Sequence, residues 1–194
     1  MRGEIVALIV ATSFAAGLNL PATVATLGLL ERAEVVTLPS SLQLLANWWV
    51  IGASLVLFTI EMVADKIPGF DLIWNALQTF IRVPAGAVLA YAATNQLSPE
   101  LQLAATLAGG TIAFLAHGGK TAARAAVTAS PEPFSNFALS LGEDIAAIGI
   151  TWLATRHPYW AAAIAISLLI VIVLFVRMVI AALRSAFRRI QQAA

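Results

Sequence analysis

His117, Lys120 and Arg124 stand three and four residues apart inside an otherwise apolar stretch, Leu101 to Thr128. That spacing places them, with Thr128, on one face of a helix. Lipid does not tolerate such a stripe, so it must face protein or water. Ionisable groups at membrane depth are costly, and by default they point to a functional site. The chemistry open to them is holding an anionic group, passing a proton through His117, or pairing with buried acids. Gly118 and Gly119 beside the stripe permit close backbone approach.

Acids and amides suited to pairing lie in the neighbouring apolar segments. Asn136, Ser140, Glu143 and Thr151 form a second stripe, with Asp144 next to it. Glu61 and Asp65 are four residues apart, as are Gln78 and Arg82. Lys120 or Arg124 is expected to pair with Glu143 or Asp144, and Arg82 with Glu61 or Asp65. Two uses of these charges stay open. They are ion pairs that only fix how helices pack, or they line a polar cavity. In the cavity Lys120, Arg124 and Arg82 attract an anionic group, while Glu143, Asp144 or Glu61 carries a proton or cation. A structural hydrogen bond explains His117 as well as a proton relay does. Asn19 and Pro21 interrupt the first apolar segment. Proline frees a backbone carbonyl, and the break is either a plain kink or part of a binding cavity.

Composition sets the class of elements that must hold these residues. Of 194 residues 60% are hydrophobic and 11% charged, where a soluble domain carries about 25% charged residues. Mean hydropathy is +0.89. The net charge of +1 leaves no basic footprint for nucleic acid. The lack of cysteine excludes disulfides, thiolate metal sites and a cysteine nucleophile, and two histidines make no metal cluster. No metal or other cofactor is expected.

A membrane span needs about 20 mostly apolar residues. Six are predicted, near 5–30, 48–64, 72–93, 101–127, 134–154 and 159–183. Turn-rich segments separate them, Lys66-Ile67-Pro68-Gly69 and Ser130-Pro131-Glu132-Pro133 among them. The third is polar in its first half and carries Pro84, so a break near Arg82 is expected. Arg2 followed by Glu4, without a small-residue cleavage site, reads as a retained first helix rather than a signal peptide. The fold class is therefore all-α and polytopic: one transmembrane domain over 1–183 and a basic cytoplasmic tail over 184–194. Basic residues concentrate on the side of Arg2, Lys66, Lys120, Arg124, Arg184, Arg188 and Arg189, which places both termini in the cytoplasm. Trp48, Trp49, Trp152, Tyr159 and Trp160 fall near span ends as an aromatic belt. Ala15 to Asn19 parallels Ala116 to Lys120, and Ala64 to Pro68 parallels Ala154 to Pro158. These matches suggest two inverted three-helix repeats, 1–95 and 100–183.

Several segments also carry a resemblance. They are Ala64-Asp65-Lys66-Ile67-Pro68, Thr79-Phe80-Ile81-Arg82 with Pro84-Ala85-Gly86-Ala87, His117-Gly118-Gly119-Lys120 with Ala123-Arg124, and Ser130-Pro131-Glu132-Pro133-Phe134-Ser135-Asn136 with Glu143-Asp144. Together they resemble an uncharacterised bacterial family of small integral membrane proteins that carries a domain-of-unknown-function label. The resemblance covers the chain up to about Pro158, and the Ser-Pro-Glu-Pro segment is its most specific part. The family often has Arg-Pro-Pro where Arg82-Val83-Pro84 stands here, and Asn at or next to Thr128. It implies the membrane class and supplies no activity.

The leading expectation is a small transporter or channel for an ion or small anionic solute in the bacterial inner membrane. Its site would use Lys120, Arg124, His117, Glu143, Asp144, Glu61, Asp65, Arg82, Asn19 and Asn136. One alternative is a non-transporting scaffold or accessory protein whose buried ion pairs fix helix packing. The other is a lipid-phosphate handler, with Lys120, Arg124 and His117 on a lipid head group. No catalytic motif is recognised, so the chain is not expected to be an enzyme. The expected partners are the lipid bilayer, an anionic solute or head group, and, given the small residues along the helices, further copies of the chain.

Overall fold

The computed structural model describes residues 2–64, 70–128 and 133–193. It is all-α: α1 (Arg2–Leu18), α2 (Leu20–Arg32), a 3-10 helix (Ser40–Ala46), α3 (Trp48–Ala64), α4 (Phe70–Ala93), α5 (Pro99–Thr128), α6 (Pro133–Arg156) and α7 (Pro158–Ala193). The predicted apolar segments and the helices agree closely for α3 to α6 and for the start of α7. Pro99, Pro133 and Pro158 each open a helix, where a missing N–H costs nothing.

Among the described residues four helices, α4 to α7, hold segments long and apolar enough to cross a membrane, while the 3-10 helix and α3 pass that test only as a pair bent by 64°. The first segment does not form the crossing expected over 5–30. It divides at Asn19, and at 1.5 Å per residue α1 and α2 reach only about 26 and 20 Å, short of a ~30 Å hydrocarbon core.

The two pieces form a hairpin. Gly3 lies against Tyr159, at the start of α7, while Gly17 packs on Ala113 and Ala116 of α5. α2 then turns back. Gly28 abuts Leu45 and Ile51, at the start of α3, and Glu31 accepts a hydrogen bond from the Leu38 N–H. Leu38 in turn shares a cavity wall with Glu4, Ile5 and Leu8 of α1. The end of α2 is therefore level with the beginning of α1, and Asn19 is the tip between them.

Two expectations are corrected by this hairpin. Gly3 sits at the Tyr159 end of α7, whereas α7 runs on for 36 residues, or about 54 Å, to its basic end. The two ends of the chain lie at opposite ends of the bundle, not on one side. α1 also runs in the same direction as α5, so the match between 15–19 and 116–120 does not describe inverted repeats. Both corrections have one cause: a hairpin adds two helix directions without adding a crossing.

A third correction concerns the break expected near Arg82. α4 continues through Pro84. It is held along α5 by small residues: a Cβ on Gly86 would come within 2.5 Å of the Ala113 Cβ, and one on Gly109 equally close to that of Ala90. Packing this close holds a helix that proline alone would bend.

α1 is the centre of the bundle, packed by α4, α5, α6 and α7. Its core positions are mainly alanine with Phe14 and Leu18, against Ala116, Ala147, Ile150 and Ala161. α7 is the opposite case, with almost all of its apolar span facing outward. Trp48, Trp49, Trp152, Tyr159 and Trp160 are exposed, and the Trp48 ring stacks under Arg32 at 4.3 Å. The basic residues of 184–194 that are described continue α7 rather than forming a separate tail.

Candidate functional site

The hairpin tip is built by two residues. Asn19 has extended backbone (φ −150°, ψ 100°) and caps α2, its side-chain oxygen accepting from the Ala22 N–H. That bond, 2.9 Å long, takes the donor that an unbroken helix would give to the Leu18 carbonyl. Pro21 has no N–H, so the Gly17 carbonyl loses its partner as well. Two carbonyls thus project from the end of α1, where the helix dipole is negative.

Cations from two other helices meet them. Arg82 of α4 donates from Nη1 to the Gly17 carbonyl at 3.1 Å and also to the Leu18 carbonyl. Lys120 of α5 donates from Nζ to the Leu18 carbonyl at 3.3 Å. Arg82, Arg124, His117 and Lys120 are all buried, so bonds from charged donors to these carbonyls are worth about 1.5–3 kcal/mol each.

Two carboxylates close the cluster. Glu61 of α3, 1% exposed, accepts on Oε1 from Arg82 Nη2 and, at 2.8 Å, from Lys120 Nζ. Glu143 of α6 accepts on Oε2 from Arg124 Nη2 at 2.7 Å, with Lys120 Nζ at 3.2 Å. Lys120 is thus shared between two acids on different helices. His117 places Nε2 2.9 Å from the Asn75 carbonyl and Nδ1 3.3 Å from Arg82 Nη1. A carbonyl only accepts, so Nε2 carries the proton and Nδ1 turns a lone pair to the guanidinium. His117 is therefore held as a neutral imidazole by α4 on both ring nitrogens.

Asp144 sits apart from these ion pairs. It is 6% exposed, and Asn19 Nδ2 donates to its Oδ1 at 2.8 Å. The acid lies beside the N-terminus of α2, where the helix dipole favours negative charge. Cations therefore gather at the negative end of α1 and an acid at the positive end of α2.

Of the residues singled out by spacing, the fold brings Lys120, Arg124, His117, Glu143, Asp144, Glu61, Arg82 and Asn19 together. Asp65 and the Asn136 side chain lie outside the described residues. The expected pairings Arg82–Glu61 and Arg124–Glu143 are present, and Lys120 takes both Glu61 and Glu143. The carbonyls of Gly17, Leu18 and Asn75 were missed. Pro21 pointed to the first of them, since it withholds the N–H from the residue four positions earlier.

Cavities among the described residues lie away from this cluster, and two of them border α1. One of about 400 Å³ is bounded by Glu4, Ile5, Leu8, Val36 to Pro39 and Thr155. The other, about 410 Å³, is an apolar groove between α1 and α5 walled by Ile9, Val10, Leu101 and Ala105.

A family model for a domain of unknown function, DUF4126, matches residues 6–178. The chain belongs to the DUF4126 family. The matched region takes in the hairpin from residue 6 on, the charge cluster and the first part of α7. Its long apolar helices are those of a small multi-pass membrane protein. No curated protein matches the DUF4126 chain, and no solved structure does.

Proposed function

We propose that this DUF4126 protein is a non-transporting membrane scaffold or accessory protein whose buried ion pairs fix helix packing. One observation carries the reading: Lys120 and Arg124 share Glu143, while Lys120 and Arg82 share Glu61. Four helices, α3 to α6, are tied together by these contacts, and the hairpin tip is tied to them through its carbonyls. A charge network of this kind specifies one arrangement of apolar helices that would otherwise slide on one another. The proposal includes five crossings with the α1–α2 hairpin entering from one side. The basic end of α7 faces the cytoplasm of a bacterial cell, as the lysine and arginine balance favours.

A second reading, transport of an ion or small anionic solute, is favoured by the tip itself. Helices broken inside an apolar bundle, with carbonyls outside the helical hydrogen-bond ladder, are typical of transport sites.

Charge exchange and solvent access separate the two. Arg124→Glu and Glu143→Arg should each destabilise the protein in detergent, and the double exchange should recover most of the loss. The cysteine-free chain also accepts a single reporter, His117→Cys, probed by a membrane-impermeant thiol reagent from each side. No labelling of the folded protein together with rescue by the double exchange supports the scaffold. Labelling from both sides would replace it with the transport reading.

A further inference from the structure

The three acids at the hairpin tip are not equivalent. Glu61 touches Arg82 and Lys120, and Glu143 touches Lys120 and Arg124. Asp144 is buried, less than Glu61 and more than Glu143, yet among the described residues it has no cation within ion-pair distance and its hydrogen-bond partner is the neutral amide of Asn19. It is also the twelfth of the 24 residues of α6, inside the apolar segment Phe137–Arg156. A carboxylate in such surroundings needs a counter-charge or a proton.

We propose that Asp144 is a proton-binding site of the membrane interior, set at the tip of the α1–α2 hairpin. The bound proton sits on a carboxyl oxygen of Asp144. The other oxygen keeps the Asn19 amide bond, so the cap of α2 survives both states. The charged groups facing Asp144 are Lys120 of α5, Glu61 of α3 and Glu143 on its own helix. Lys120 is engaged by the two glutamates, and the neighbouring Glu143 repels a second negative charge. Repulsion from Glu61 and Glu143 favours the neutral acid, whereas Lys120, the Asn19 amide and the N-terminal end of α2 favour the carboxylate. The site's ligand is thus a hydron taken from water, with no bond broken other than O–H. This inference goes beyond the packing role and does not depend on it, since a proton can be bound with or without transport.

The experiment uses the full chain reconstituted in phosphatidylcholine vesicles and records infrared difference spectra across pH, in H₂O and D₂O. A neutral carboxylic acid has a carbonyl stretch apart from the carboxylate bands, and deuterium shifts it. The wild type is expected to show one such band from the buried acid, absent from Asp144→Asn, which keeps the side-chain shape and a partner for Asn19. Asp144→Glu should move the band rather than remove it, which covers the case in which the asparagine variant fails to fold. A band that survives in Asp144→Asn, or that is lost in Glu61→Gln or Glu143→Gln instead, overturns the proposal. So does loss of the band on replacing choline by sodium at fixed pH, because the acid would then hold a metal cation.

Discussion

Two prolines in apolar helices have opposite outcomes. Pro21 lies at a complete break, and α1 and α2 part there into a hairpin. Pro84 lies within α4, which continues past it for nine more residues. Each withdraws one N–H from the residue four positions earlier, so the covalent defect is the same. The difference lies in what replaces the lost bonds. At the tip Asn19 supplies a cap, and Arg82 and Lys120 take the freed carbonyls. At Pro84 only the bond to the Phe80 carbonyl is lost, and the close α4–α5 contact holds the helix axis. A proline permits a break, but buried polar partners make the break stable.

Replacing those partners should have the largest effect. Arg82→Met strips both carbonyls of their guanidinium and leaves Glu61 short of a counter-charge. Removing one member of a buried pair costs about 3–5 kcal/mol, read as a fall in resistance to heat or SDS unfolding in micelles. The same change at exposed Arg184 should move stability by less than about 0.5 kcal/mol. Equal losses at the two sites would mean that the tip is not held by its cations.

A smaller loss is expected from the cap. Asn19→Ala removes the bond to Ala22 and the Asp144 contact together, at about 1–2 kcal/mol. The same unfolding assay, with Asn19→Ser as a variant that restores capping but not the reach to Asp144, divides the two contributions. If Asn19→Ser rescues everything, the Asp144 bond contributes nothing.

The prolines themselves should respond with opposite signs. Pro84→Ala returns an N–H to a continuous helix and is expected to stabilise by roughly 1 kcal/mol, part of the ~3 kcal/mol that an interior proline costs. Pro21→Ala offers a competing donor to the Gly17 carbonyl and should give no gain. A gain of equal size at Pro21 would show that the chain tolerates the hairpin but does not require it.

Much of the helical layout was legible in the residues. Runs of apolar residues between proline-rich turns located α3 to α6 and the start of α7 within a few positions, because long helices in lipid must be apolar nearly throughout; α7 runs ten residues past its expected end at 183. The stripe of His117, Lys120 and Arg124 announced a buried charge cluster, because lipid forbids its exposure. The hairpin was not legible. Residues 5 to 30 have the length and hydrophobicity of one crossing, and a return to the same side changes neither. The orientation of the first segment went wrong with it, and the apparent repeat with it, since both rested on counting crossings.

Composition and spacing alone determined that this is an all-helical membrane protein with acids and bases matched in its interior. The physical reason is general: apolar length follows from bilayer thickness, and every buried charge must find a partner. Which charge meets which could only be decided by the tertiary structure. Lys120 reaches two acids from two helices and a carbonyl from a third, and no spacing along α5 encodes that convergence. The reversal at Asn19 is of the same kind. Its cap is local, but the energy that holds the freed carbonyls comes from Arg82 and Lys120, 64 and 102 residues away from Leu18.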